Sequence, residues 1–147
     1  MLMKVTKEQL IEGLNIDLAN EYGAVIQYTY SAAVVSGLYR SALKPFFEAE
    51  IADELNHALY LAEKIKSLGG SPTTEAAEVP RPTDVKGLLE AVLKSETDTI
   101  ERYEERKKQA EALGLTELVV QLEDMIADET RHKEEVERLL LDPRFSE

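Results

Sequence analysis

Both histidines of the chain stand in the same local frame. Residues 51–57 read IADELNH and residues 126–132 read IADETRH. Positions i and i+3 share a helix face, so Glu54 with His57 and Glu129 with His132 make two carboxylate–imidazole pairs. The 75-residue spacing extends upstream, where Leu14, Leu18, Glu21, Val25 and Tyr28 fall on Leu89, Leu93, Glu96, Ile100 and Tyr103. These positions step by 4, 3, 4 and 3, a single helical stripe that is apolar except for a carboxylate in its middle. Glu54 sits likewise among Phe47, Ile51, Ala58, Leu61 and Ile65, and Glu129 among Leu122, Ile126, Val136 and Leu140. Four glutamates, one per helix, therefore point into one core, where carboxylates do not normally belong.

Four ionised carboxylates buried together are strongly unfavourable; some would take up protons instead. Two divalent cations would balance the four charges, each held by glutamate oxygens and one imidazole. One Glu from each of two helices with a Glu-x-x-His from each of the other two is a di-metal carboxylate pattern. The predicted ligands are Glu21, Glu54, His57, Glu96, Glu129 and His132. Mixed oxygen and imidazole donors suit Fe(II) or Mn(II), with Zn(II) as a redox-silent occupant. Asp53 and Asp128 are candidates to accept a hydrogen bond from the far nitrogen of the other pair's histidine; the alternative is a plain carboxylate facing water. Tyr28 and Tyr103, two turns beyond Glu21 and Glu96, are candidates to hydrogen-bond a ligand carboxylate or donate an electron; the alternative is a core aromatic with its hydroxyl satisfied. Glu101 lies roughly 140° around the helix from Glu96 and has Ile26 as its repeat partner, which removes it from the set.

The elements that must position these residues read as helices throughout. The spacing predicts helices over about 7–38, 43–68, 84–113 and 116–141. Thr6 with Gln9 suits a capping box before the first. Pro45 suits the first turn of the second, Lys64 and Lys66 its last turn, and Gly69 its end. Strand and hairpin signals are weak. The expected class is all-α, a single domain over 1–147 built as a four-helix bundle. Short turns make the first and second helices antiparallel, and the third and fourth likewise. Segment 70–83, which holds three of the five prolines, reaches roughly 46 Å at ~3.3 Å per residue. The second helix is roughly 39 Å long at ~1.5 Å per residue. The segment is thus one long crossover between the second and third helices, returning the chain to the end where the second began. Glu21 and Glu54 lie equidistant from the first turn, and Glu96 and Glu129 from the last, so each pair meets at one height.

Composition narrows the function classes. Of the 147 residues none is cysteine, which excludes disulfides, thiolate metal sites and cysteine nucleophiles. A formal net charge of −12 argues against nucleic acid and anionic membrane surfaces as partners. Residues 1–5 begin no long apolar run, so neither a leader nor a membrane span is expected, and a cytoplasmic location is. The charged stretch ERYEERKK at 101–108 reads as the wet face of the third helix, with pairs such as Glu104 and Lys108.

With these residues in place, the chain resembles the ferritin-like superfamily of di-iron carboxylate proteins, and within it the bacterioferritins. The resemblance runs from the first helix to the end of the fourth and rests on Glu21, Glu54-x-x-His57, Glu96, Glu129-x-x-His132 and Tyr28. It implies a ferritin-like bundle carrying two iron ions per chain. Glu21 and His57 would be terminal ligands of one and Glu96 and His132 of the other, with Glu54 and Glu129 bridging. It also implies oxidation of Fe(II) by O2 or H2O2, for iron storage or detoxification, in a homo-oligomer, dimer or larger. Bacterioferritins carry a haem-ligating methionine immediately after the second-helix ligand glutamate; that position is Leu55, so no haem is expected. Fifteen residues follow His132, too few for the short fifth helix of large ferritin cages. Mini-ferritins are similar, and the group among them with a site inside the bundle typically has a cysteine pair that is absent here. Rubrerythrins are also similar but have a further glutamate where this chain has Thr99. A rubrerythrin-like di-iron or di-manganese oxidase or peroxidase without storage, and a structural metal-binding bundle without catalysis, stand as alternatives.

Overall fold

The computed structural model describes residues 4–145; Met1 to Met3, part of the stretch read for a leader, lie outside them. Four α-helices make the fold: α1 (Lys7–Val34), α2 (Arg40–Ser67), α3 (Val85–Ala112) and α4 (Thr116–Leu139), followed by a short 3-10 turn, Pro143–Phe145. No strand occurs among the described residues. No helix among them is long and apolar enough to cross a membrane.

The helix ends follow local chemistry. Thr6 Oγ accepts from the Gln9 amide at 3.1 Å and Gln9 Oε1 accepts from the Thr6 amide at 3.0 Å, a complete capping box. Asp84 caps α3 by accepting from the Gly87 amide at 3.0 Å. Gly69 and Gly114 leave α2 and α3 at positive φ, 93° and 71°, a conformation that costs glycine nothing. Two boundaries differ from expectation. The first helix stops at Val34, where the Arg40 guanidinium accepts the role of end cap by donating to the Val35 carbonyl at 2.7 Å. The second begins at Arg40, so Pro45 falls inside it, beyond its first turn. The apolar pattern is unaffected by either shift, because the core positions lie deeper in each helix.

The crossover runs alongside α1. Ser71 O accepts from Asn15 Nδ2 at 3.1 Å, the Ala77 amide donates to Ala19 O at 2.9 Å, and Pro82 O accepts from the Tyr30 hydroxyl at 2.8 Å. The segment therefore climbs α1 from near its start to near its end and delivers α3 to the end where α2 began. Contacts between Tyr28 and Glu96, and between Asp17 and Arg106, show α3 antiparallel to α1. Contacts of His57 with Asp128, and of His132 with Asp53, show α4 antiparallel to α2. This is the one-crossover bundle.

Two apolar clusters fill the interior. One, including Leu10, Leu14, Leu18, Leu61, Ile65 and Leu122, occupies the end with the α3–α4 turn. The other, including Phe47, Leu88, Leu89, Val92 and Val136, occupies the opposite end. The glutamates and histidines form a polar layer between them.

Candidate metal centre

All six predicted ligands are buried, with relative exposures of 1% to 7%. One oxygen or nitrogen from each of Glu21, Glu54, His57 and Glu129 lies within 4.8 Å of the others, and the same holds for Glu96, Glu129 and His132. His57 Nδ1 is 3.7 Å from Glu21, 3.9 Å from Glu54 and 3.4 Å from Glu129. His132 Nδ1 is 3.5 Å from Glu54 and 4.0 Å from Glu129. Glu54 and Glu129 thus face both imidazoles, while Glu21 lies with His57 and Glu96 with His132.

The far nitrogens face outward to aspartates. His57 Nε2 is 3.0 Å from Asp128 Oδ2, and His132 Nε2 is 3.0 Å from Asp53 Oδ2. With the proton on Nε2 donated to the aspartate, the Nδ1 lone pair is turned toward the glutamates. The tyrosines cross between the repeats: the Tyr28 hydroxyl donates to Glu96 at 2.7 Å, and the Tyr103 hydroxyl donates to Glu21. Burial and the neighbouring carboxylates push both phenols well above their ordinary range.

The protein's own groups leave this layer short of positive charge. Burial pushes the Glu54 carboxyl well up, helped by Glu21 and Glu129. Burial likewise pushes Glu96 up to about 8, against the Tyr28 hydrogen bond. Burial opposes a charge on His57, but the Glu129, Glu21 and Asp128 carboxylates around the ring raise it to about 11. His132 rises to about 9 against burial, chiefly through Glu50. Glu21 is held low: burial disfavours its charge, but contacts with Glu54, His57 and Tyr103 outweigh that.

Hydrogen-bond accounting tests whether these groups fit metal ions. Glu21 Oε2, Glu54 Oε1, His57 Nδ1, Glu96 Oε2, Glu129 Oε1 and His132 Nδ1 are all buried without a hydrogen-bond partner. Buried polar atoms are nearly always satisfied. Here one orphan comes from each of the six residues, and once the imidazoles release their Nδ1 protons each is a lone-pair donor of a type divalent metals take. The residues fit a pair of such ions.

Comparison with known proteins agrees with the fold. The family model described as "Ferritin-like domain" matches residues 11–144. The chain belongs to the ferritin-like family. A ferritin-like, diiron-carboxylate protein from Bacillus anthracis str. Ames is 62% identical, with a TM-score of 0.91 over 94% of this chain and 99% of that one. The bacterioferritin of Desulfovibrio desulfuricans is 31% identical over 127 residues, 86% of this chain and 71% of that protein. The bacterioferritin-related protein of Bacteroides fragilis, described as a dodecameric thioferritin, is 28% identical with a TM-score of 0.85, over 95% of this chain and 88% of that one.

In this ferritin-like chain, three charged groups near the centre escaped the sequence reading. Asp17, 1% exposed, receives bonds from Arg106 Nε at 2.7 Å and Nη2 at 3.2 Å. Burial raises the Asp17 pKa, and Arg106 opposes the rise. Arg106 is therefore not on the wet face read for 101–108; it turns inward from α3 while Glu101 and Glu104 stay exposed. The signal was present for Asp17, which sits on the Leu14–Glu21 stripe, and Gly13 beside it leaves room for the guanidinium: a Cβ there would lie 2.1 Å from Arg106 Nη1. The third group, Glu50, one turn before Glu54, contacts His132 Nε2 beside Asp53.

Proposed function

We propose that this ferritin-like protein is a ferroxidase-type di-iron oxidoreductase that oxidises Fe(II) with O2 or H2O2, for iron storage or detoxification. The observation that carries the reading is the set of six orphaned donor atoms, one per predicted ligand, gathered in a layer sealed by apolar clusters. Glu21 and His57 would hold one iron, Glu96 and His132 the other, and Glu54 and Glu129 would lie between them. Iron held there would supply the electrons that the oxidant takes up, one from each ion. The chain's own residues supply the rest. Four carboxylates balance two divalent charges, Asp53 and Asp128 fix the imidazole tautomers, and Tyr28 and Tyr103 hold the terminal carboxylates in place. The proposal includes a homo-oligomer, supported by the description of the Bacteroides fragilis relative as dodecameric.

An aerobic Fe(II) titration of the purified protein tests this, followed by absorbance and by iron retained after gel filtration. Oxidation that saturates at about two irons per chain, with no more retained, indicates a di-iron catalyst without a store. Continued oxidation with many irons held in a large assembly indicates storage. Binding of metal with thermal stabilisation and no oxidation would overturn the reading in favour of a structural bundle.

A further inference from the structure

The 75-residue repeat relates the two halves of the centre, and their surroundings break that symmetry in one direction. Behind His132 stand two carboxylates, Glu50 and Asp53, both at Nε2. The repeat partner of Glu50 is Met125, a buried member of an apolar cluster, so among the described residues Asp128 is the one carboxylate at His57 Nε2. Asp128 is moreover paired with Arg131, whereas the repeat partner of Arg131 is the exposed Asn56. On the Glu21 side, Arg106 and Arg102 approach Asp17 at 2.7 Å and 3.8 Å. Their repeat partners on the Glu96 side are Ser31 and Gln27, and Asp17 itself is matched by Val92.

We propose that the two metal positions are inequivalent, and that the one formed by Glu96 and His132 takes a divalent cation first and more tightly because Glu50 reinforces it. The inference rests on the two-metal reading above. An imidazole whose far N–H is bonded to an aspartate with a second carboxylate against the same nitrogen is a stronger donor than one whose single aspartate is shared with an arginine. The Glu50 side chain is 14% exposed, so its charge is weakly screened by water. The Glu21 position has the opposite balance, because every carboxylate added near it is matched by a guanidinium. Glu50 is a positioning residue here; it acts on the metal through His132.

Co(II) is the probe, titrated into the full-length protein and followed by its visible absorption and by calorimetry. Crystals grown with one equivalent of Co(II) would be mapped by anomalous scattering. Two steps are expected, the first about tenfold tighter, with the first anomalous peak among Glu96, Glu129 and His132. Glu50→Gln should weaken the first step about tenfold and leave the second within about twofold, with an unchanged circular dichroism spectrum. The proposal is overturned by two indistinguishable steps, by a first peak at Glu21 and His57, by a first peak between Glu50 and Asp53 on the Nε2 side of His132, or by equal weakening of both steps in Glu50→Gln. If the map of the unaltered protein holds no cobalt at any of the six ligands, the two-metal reading fails as well. If both positions fill equally, that reading stands and only the inequivalence falls.

Discussion

At the scale of single residues, the two glutamates proposed to bridge have the most to lose. Glu54 and Glu129 each face both imidazoles, so removing one would disturb both proposed metal positions at once. Glu54→Ala or Glu129→Ala is expected to abolish rapid Fe(II) oxidation in stopped-flow absorbance while circular dichroism still shows the helices; unchanged oxidation kinetics in both would contradict the site. The same layer makes a pH prediction. His57 and His132, raised from 6.5 to about 11 and about 9, stabilise the folded chain through their bound protons. That stabilisation is fully present below about pH 6.5 and is lost as pH rises through the folded values, first near 9. Bound metal replaces those protons and binds more tightly as pH rises. The gap in Tm between Zn(II)-loaded and chelator-treated protein should therefore widen from about pH 6 to about pH 9 in thermal melts; a constant gap would show that metal does not compete with these protons.

At the scale of elements, α1 and α3 are joined by more than apolar packing. The Asp17–Arg106 pair is buried on both sides, and breaking such a pair leaves one charge without compensation. Asp17→Ala is expected to cost about 3–5 kcal/mol in denaturant unfolding, while Asp17→Leu with Arg106→Leu should recover most of it. A double variant as weak as the single one would mean that the loss comes from packing. Gly13→Ala should destabilise by about 1–3 kcal/mol, since its methyl meets a guanidinium held in place by Asp17. These contacts also mark the limit of what the sequence showed. The helices, the crossover and the six inward groups were legible because each follows from periodicity and from a repeat that a chain can carry in one dimension. The Asp17–Arg106 pair was not, because its members are 89 positions apart and periodicity reports a face without reporting what faces it. Arg106 was read outward because its neighbours are charged, although Tyr103, three residues earlier, was already placed inside. The early end of α1 was missed for a different reason: its cap comes from Arg40 across the turn, not from a residue of α1.

At the scale of the whole molecule, the polar layer divides the core into two apolar ends. Each end is an ordinary helix-bundle core, and the layer between them is the part that gains from ions. Chelation should therefore lower Tm without abolishing the bundle, since the two clusters remain; complete loss of helical signal at room temperature on chelation would show that the ions are needed for folding itself. Sedimentation of the untreated protein should give a mass several times that of one chain, as expected for a homo-oligomer.

The crossover divides the chain into two helical hairpins, and each proposed metal position draws on both. The first hairpin supplies Glu21, Glu54 and His57 and borrows Glu129; the second supplies Glu96, Glu129 and His132 and has Glu54 beside His132. A hairpin that has formed but not docked therefore has no complete site. A metal ion in a refolding experiment acts as a clock for docking: capture should lag the appearance of helix, and release should wait for the two hairpins to part. The ions would then govern how long the assembled bundle persists more than how quickly its helices appear.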